Sequence, residues 1–308
     1  MPVAEVTRHS RAAAGSGAGS GASGTVPAVL KCVFVLRFDT NQGNVLEWTY
    51  PQNFLGMEGI EFKGIPSGLH AVTADRVFLK QAGYFGVACF NNMPTDEEGQ
   101  RGARMCSIGC LMETAEGLYT LADELAQEAE RQNQEAIDAP PVATGSTYSG
   151  NYSRLQALFT AHKGAAPSLP PVVPGSPSSF SSMVSFFGAD IFLLWKAALL
   201  KKRILFFSPV PIEQGCMRVR WIDRMLGLEN GDSIVASSLE YYINVFDIDR
   251  LSTMDSYIAC TSEKIFQEKP QLYVSISGSA RSVAPCCPQT AHPVRPGADT
   301  RSFDWGQI

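Results

Sequence analysis

MVSFFGADIFLLWKAALLKKRILFFSP, Met183 to Pro209, is the stretch that decides how the chain is read. Met183 to Leu200 is apolar on nearly every face, Lys201, Lys202 and Arg203 close it, and Ile204 to Ser208 is a short apolar run ended by Pro209. The pattern predicts a helix buried all round, a basic C-terminal turn and a buried strand. Asp190 and Lys196 fall inside it, whereas a spanning helix needs about 20 nearly uninterrupted apolar residues. The expectation is a core helix that opens a large second lobe, with no transmembrane segment.

Immediately upstream, Pro167 to Ser182 (PSLPPVVPGSPSSFSS) is Pro/Ser-rich and reads as a semi-rigid connector, with PxxP spacings and a Ser176-Pro177 step inside it. Before the connector lies a first folded block. Lys31–Phe38 and Val45–Tyr50 are β-rich and bridged by the turn chemistry of Asp39 to Asn44. A short helix is expected over Phe54–Phe62. Val72–Lys80 and Tyr84–Phe90 form a second hairpin pattern around Gln81-Ala82-Gly83, and Cys106–Met112 a fifth strand with Cys106, Ile108 and Cys110 on one face. Leu118, Leu121, Leu125 and Ala129 recur at helical spacing, and Leu155, Leu158 and Phe159 suggest another helix. The order β-β-α-β-β-β-α-α is an α+β layout. Beyond the connector, helix and strand patterns alternate: a helix over Cys216–Leu228, strands over Tyr241–Ile248, Ser256–Thr261 and Leu272–Ile276. That is an α/β lobe. The expected organisation is a Gly/Ala/Ser tail over 1–28, an α+β module over 29–165, a linker over 166–182, a partial α/β lobe over 183–278 and an unpatterned tail over 279–308.

The 308 residues carry a net charge of −5, which argues against a nucleic-acid partner. The eight cysteines are dispersed and mostly sit in apolar runs, where a reduced thiol is a small hydrophobe. The N-terminus has no signal-peptide core, so a cytoplasmic protein is expected; the Asn151-Tyr152-Ser153 sequon then carries no meaning. Gly19-x-Gly21-x-x-Gly24 matches a dinucleotide fingerprint but has no strand before it and no helix after it. His9, His70, His162 and His292 stand at no metal-ligand spacing, and Asp247-Ile248-Asp249 reads as a strand end and helix cap. Lys201-Lys202-Arg203 either touches anionic lipid or complements the helix C-terminus. No Walker A, G-x-S-x-G, HExxH or CxxC motif is present. No catalytic, cofactor or metal residue is therefore expected, and a chain with large apolar lobes and no such cluster points to macromolecular binding.

Several words, in order, resemble a known family: Val33-Phe34-Val35-Leu36-Arg37-Phe38-Asp39, Gly43-Asn44-Val45-Leu46-Glu47-Trp48, Gly59-Ile60-Glu61-Phe62-Lys63, Phe85-Gly86-Val87-Ala88-Cys89-Phe90 and Arg101-Gly102-Ala103-Arg104-Met105. With Phe186-Phe187-Gly188, Leu194-Trp195-Lys196, Lys202 to Pro209 and Tyr257 to Phe266, the chain from about Val29 to Tyr273 resembles DENN-domain proteins of the LCHN type. The resemblance implies a longin-like module followed by a central DENN lobe. It also implies guanine-nucleotide exchange on a Rab-family GTPase docked between the two, in membrane trafficking, with peripheral membrane association. Family members continue past this point, so a truncated or spliced product with impaired exchange is expected. A second class that this chain resembles pairs with a longin–DENN partner and stimulates GTP hydrolysis through an arginine finger in the loop before the fifth strand. Arg101 and Arg104 fall in that region, where the competing reading is a solvated loop arginine or one bracing Glu97 and Glu98. A non-enzymatic trafficking scaffold is the third reading.

Overall fold

The computed structural model describes residues 29–96, 102–115, 117–138, 150–163, 179–230 and 238–273. The two end segments of the expected organisation, most of the 166–182 linker and the 19–24 glycine pattern lie outside those residues.

The first block begins with β1 (Leu30–Asp39) and β2 (Gly43–Tyr50). Asp39 makes the turn between them, its carboxylate accepting the backbone N–H groups of Asn41 and Gln42 at 2.8 Å each. The expected helix over Phe54–Phe62 is confined to α1 (Ile60–Gly64); turns occupy most of the segment before it. β3 (Ala74–Gln81) and β4 (Tyr84–Pro94) form the second hairpin. Its two loop residues, Ala82 and Gly83, both have positive φ (52° and 82°), the geometry that matches strand twist in two-residue loops. β5 (Ala103–Met112), α2 (Leu118–Asp138) and α3 (Ser153–His162) complete the block.

α2 packs over β4 and β5, with the Cys89 thiol donating to the Ala122 carbonyl at 3.2 Å. α1 approaches the sheet so closely that a Cβ on Gly64 would meet Leu36 Cδ1 at 2.3 Å. α3 is tied to β2 by the Tyr152 hydroxyl, which donates to Glu47 at 2.5 Å, and by stacking of Tyr152 on Trp48.

The second block runs α4 (Phe180–Phe187), α5 (Ile191–Leu199), β6 (Arg203–Phe207), α6 (Glu213–Asn230), β7 (Leu239–Tyr242), α7 (Ile248–Thr253) and β8 (Tyr257–Thr261). The single buried helix expected over Met183–Leu200 is instead two helices. Gly188 (φ 55°) and a 3-10 turn over Gly188–Asp190 break it. Nor is it buried all round: Met183, Ile191, Leu194, Ala197 and Ala198 face inward, while Val184, Phe186, Phe192, Leu199 and Leu200 are exposed. α6 and β6 pack against one side only.

The strand expected over Tyr241–Ile248 stops at Tyr242. Asn244 and Asp247 form a reciprocal capping box, the Asn244 side chain accepting from Phe246 N and the Asp247 carboxylate from Asn244 N, both at 3.1 Å. That turns the chain into α7. Leu272 is buried but belongs to a 3-10 turn over Pro270–Leu272 rather than a strand; 274–276 lie outside the described residues.

The eight strands among the described residues join one mixed sheet, in the order β2-β1-β5-β4-β3-β7-β8-β6. The pairings within the first block are antiparallel, and β3–β7, β7–β8 and β8–β6 are parallel. The fold is the expected α+β module continued by α/β structure, and the continuity comes from β3 pairing with β7 at Leu79 and Tyr242.

Candidate functional site

The two blocks meet along β3 and β7, and four sets of side chains hold that seam. Asp75, at the start of β3, accepts the backbone N–H groups of Ile212 at 2.5 Å and Glu213 at 3.1 Å, so a carboxylate of the first block caps α6 of the second. Burial nonetheless pushes the Asp75 carboxyl up, against the pull of those N–H donors. Tyr119 of α2 and Tyr241 of β7 share a hydrogen bond at 2.8 Å, and the Arg220 guanidinium lies 3.4 Å over the Tyr119 ring. Lys63 of α1, buried, donates to Asp247 and to the Lys80 carbonyl, both at 2.9 Å. Arg250 of α7 pairs with the same Asp247 at 3.0 Å and with Glu240 at 2.7 Å, and Lys80 reaches Glu240 at 3.4 Å. Three cations thus converge on two buried carboxylates contributed by the second block.

Above this network the seam surfaces as an aromatic pair. Phe62 of α1 and Phe246 of the capping-box turn have ring centroids 5.1 Å apart, and they are 42% and 65% exposed. Val245 beside them is also exposed. Buried ion pairs fix the backbones that carry these rings, while the rings themselves face outward. The arrangement offers apolar, rigidly held contact area assembled from both blocks, which suits a macromolecular partner rather than bond-making chemistry.

The other candidates fall elsewhere. Arg104 is not in the loop before β5 but is the second residue of that strand, opposite Met93 and buried, with its carbonyl accepting from Asn133 at 3.3 Å. Strand pairing extends further than the apolar pattern that began at Cys106, because Asn91 to Pro94 of β4 continue the ladder. Arg101, Glu97 and Glu98 lie outside the described residues. His162 faces Glu124 at 3.6 Å, His70 is exposed, and Asp247 is a cap and ion-pair partner. Among the described residues no group of three or more His, Cys, Asp or Glu could hold a metal. The six described cysteines are buried and free; burial pushes the Cys106 thiol up to about 11 and Cys89 to about 12, which leaves them poor nucleophiles.

Residues 33–277 match the family described as DENN domain-containing protein 11. The chain belongs to the DENN-domain family. Its similarity to the "DENN domain-containing protein 11" of Rattus norvegicus is 38% identity over 266 residues, covering 78% of this chain and 55% of that protein. The protein of that name from Xenopus laevis is 37% identical over 267 residues, covering 79% and 58%. "Uncharacterized protein ANR2" of Saccharomyces cerevisiae is 25% identical over 307 residues, covering 79% and 56%. The chain spans just over half the length of the curated relatives it matches. The DENN match runs across the seam, so Phe62, Lys63, Phe246 and Asp247 all lie inside it.

The aromatic pair had no signature in the sequence. Lys63 and Asp247 are 184 residues apart, and no spacing links them. The one available signal was a lysine set between Phe62 and Ile65, in a segment whose neighbours are apolar.

Proposed function

We propose that this chain carries the GTPase-docking part of a guanine-nucleotide exchange factor for a Rab-type small GTPase, working in the cytoplasm and peripherally on trafficking membranes. Its membership of the DENN-domain family over residues 33–277 carries the reading. The first block then corresponds to a longin-like module and the second to central DENN structure, with the GTPase seated at the seam. Phe62 and Phe246 are its central apolar contacts. Exchange needs no acid, base or nucleophile: the factor binds the nucleotide-free state preferentially and so shifts the switches away from the arrangement that holds phosphate and Mg²⁺. Exposed aromatic side chains on a fixed frame supply such binding energy at little entropic cost.

The test is release of a fluorescent GDP from a panel of Rab proteins, with GTP turnover measured in parallel. At least one Rab should lose GDP faster. Faster GTP turnover instead, abolished by Arg104→Lys or Arg101→Lys, would favour hydrolysis stimulation with a longin–DENN partner. No effect on either rate across the panel would leave the scaffold reading and refute the exchange reading.

A further inference from the structure

We propose that the outer face of α5, with the basic turn that follows it, docks on the surface of an anionic phospholipid membrane. Phe192, Lys196 and Leu199 fall on one exposed face of α5, while Ile191, Leu194, Ala197 and Ala198 are buried on the other. Phe192 is the most projecting of them, 70% exposed. On α4, Val184 is exposed and Met183 is buried. α5 is thus two-sided, with apolar residues on each side.

Charge separates the occupants of that outer side. Residues 180–203 contain Lys196, Lys201, Lys202 and Arg203 against the single acidic Asp190, in a chain whose net charge is −5. Lys196, Lys201 and Lys202 are exposed, and the last two follow the Leu199-Leu200 end of α5. Exposed aromatic and aliphatic side chains edged by lysines are the pattern of a helix lying in the headgroup region, rings in the acyl boundary and ammonium groups on lipid phosphates. A second copy of this face fits poorly, because a twofold contact sets like lysines close together.

The segment lies on the bilayer rather than crossing it. Phe180–Leu199 is long and apolar enough to span by composition, but Gly188–Asp190 breaks the helix. Its inner side is committed to the protein body, Phe180 against Trp221 at 5.4 Å and Phe187 against Phe206 at 5.8 Å. Pulling those contacts apart to insert the segment would strip α6 and β6 of their cover.

Flotation of the whole chain with vesicles tests this. Vesicles of phosphatidylcholine with about 30% phosphatidylserine should carry the protein up, pure phosphatidylcholine should not, and about 0.5 M salt should release it. Lys201→Gln with Lys202→Gln should weaken binding on the order of 30-fold, from the usual contribution of a lysine near an anionic surface. Phe192→Ser should weaken it about tenfold or more. Neither changes a buried residue, so urea midpoints should match wild type, and a variant with a shifted midpoint is replaced by Phe192→Gln. Equal flotation with both vesicle types, none with either, or unchanged binding by both variants overturns the proposal. So does a dimer in light scattering that Phe192→Ser dissociates.

Discussion

Asp247→Ala should be the most damaging single polar substitution at the seam. The carboxylate accepts from Lys63 at 2.9 Å, from Arg250 at 3.0 Å and from the Asn244 backbone at 3.1 Å. Its side chain is 6% exposed and that of Lys63 is 9% exposed. Removing it leaves a buried ammonium that keeps, among the described residues, the Lys80 carbonyl as its hydrogen-bond partner. Orphaning one member of a buried ion pair costs about 3–5 kcal/mol. The lost capping box adds about 1 kcal/mol more. Set against a total stability of roughly 5–15 kcal/mol, this is a large share. Lys63→Met should cost less, about 1–3 kcal/mol, because Asp247 keeps Arg250 and the thioether fills the space of the lysine stem. The double variant should cost less than the sum, since neither orphan remains. Arg250→Ala should cost less as well, about 1–3 kcal/mol, because its own side chain is 43% exposed and the buried Glu240 it leaves keeps Lys80 at 3.4 Å. Urea unfolding of the four proteins measures all of these. An Asp247→Ala cost within about 0.5 kcal/mol of that of Arg250→Ala, or strictly additive Lys63 and Asp247 effects, would refute the view that a desolvated pair holds the seam.

Gly64→Ala should destabilise by about 1–3 kcal/mol in the same assay, because its Cβ would meet Leu36 Cδ1 at 2.3 Å and Ala88 Cβ at 3.2 Å. Tyr119→Phe should cost about 1–3 kcal/mol by leaving the Tyr241 hydroxyl buried without its 2.8 Å partner, and adding Tyr241→Phe should recover part of that. Burial raises the Glu213 carboxyl, opposed by Arg76, so the folded chain holds more protons than the unfolded one just above the usual 4.5. Its contribution to stability therefore falls as pH rises through that window, and unfolding midpoints followed upward from pH about 4.5 should lose part of that slope in Glu213→Gln.

Local signals carried most of the first block. The Asp39–Asn44 turn, the Ala82-Gly83 loop and the Leu118–Ala129 stripe each rest on neighbours in sequence, and each is where it was expected. α2 runs on to Asp138 because Gln132 and Asn133 occupy buried positions. Asn133 earns its place by donating to Asn91 Oδ1 at 2.8 Å, which an apolar stripe does not register. Met183–Leu200 misled because uniform apolarity looks the same whether every face is packed or one face is kept for something else. The union of both blocks in one sheet depends on β3 meeting β7, a pairing with no local mark. The seam's ion network and the Phe62–Phe246 pair were illegible for the same reason.

The most direct measurement is GDP release from the responsive Rab by wild type and by the Phe62→Ser, Phe246→Ser double variant. Both rings are exposed, so the variant's urea midpoint should stay close to wild type. Loss of two central aromatic contacts should slow release by tenfold or more at a fixed concentration of factor. A double variant that remains folded and exchanges as fast as wild type would contradict docking at the seam.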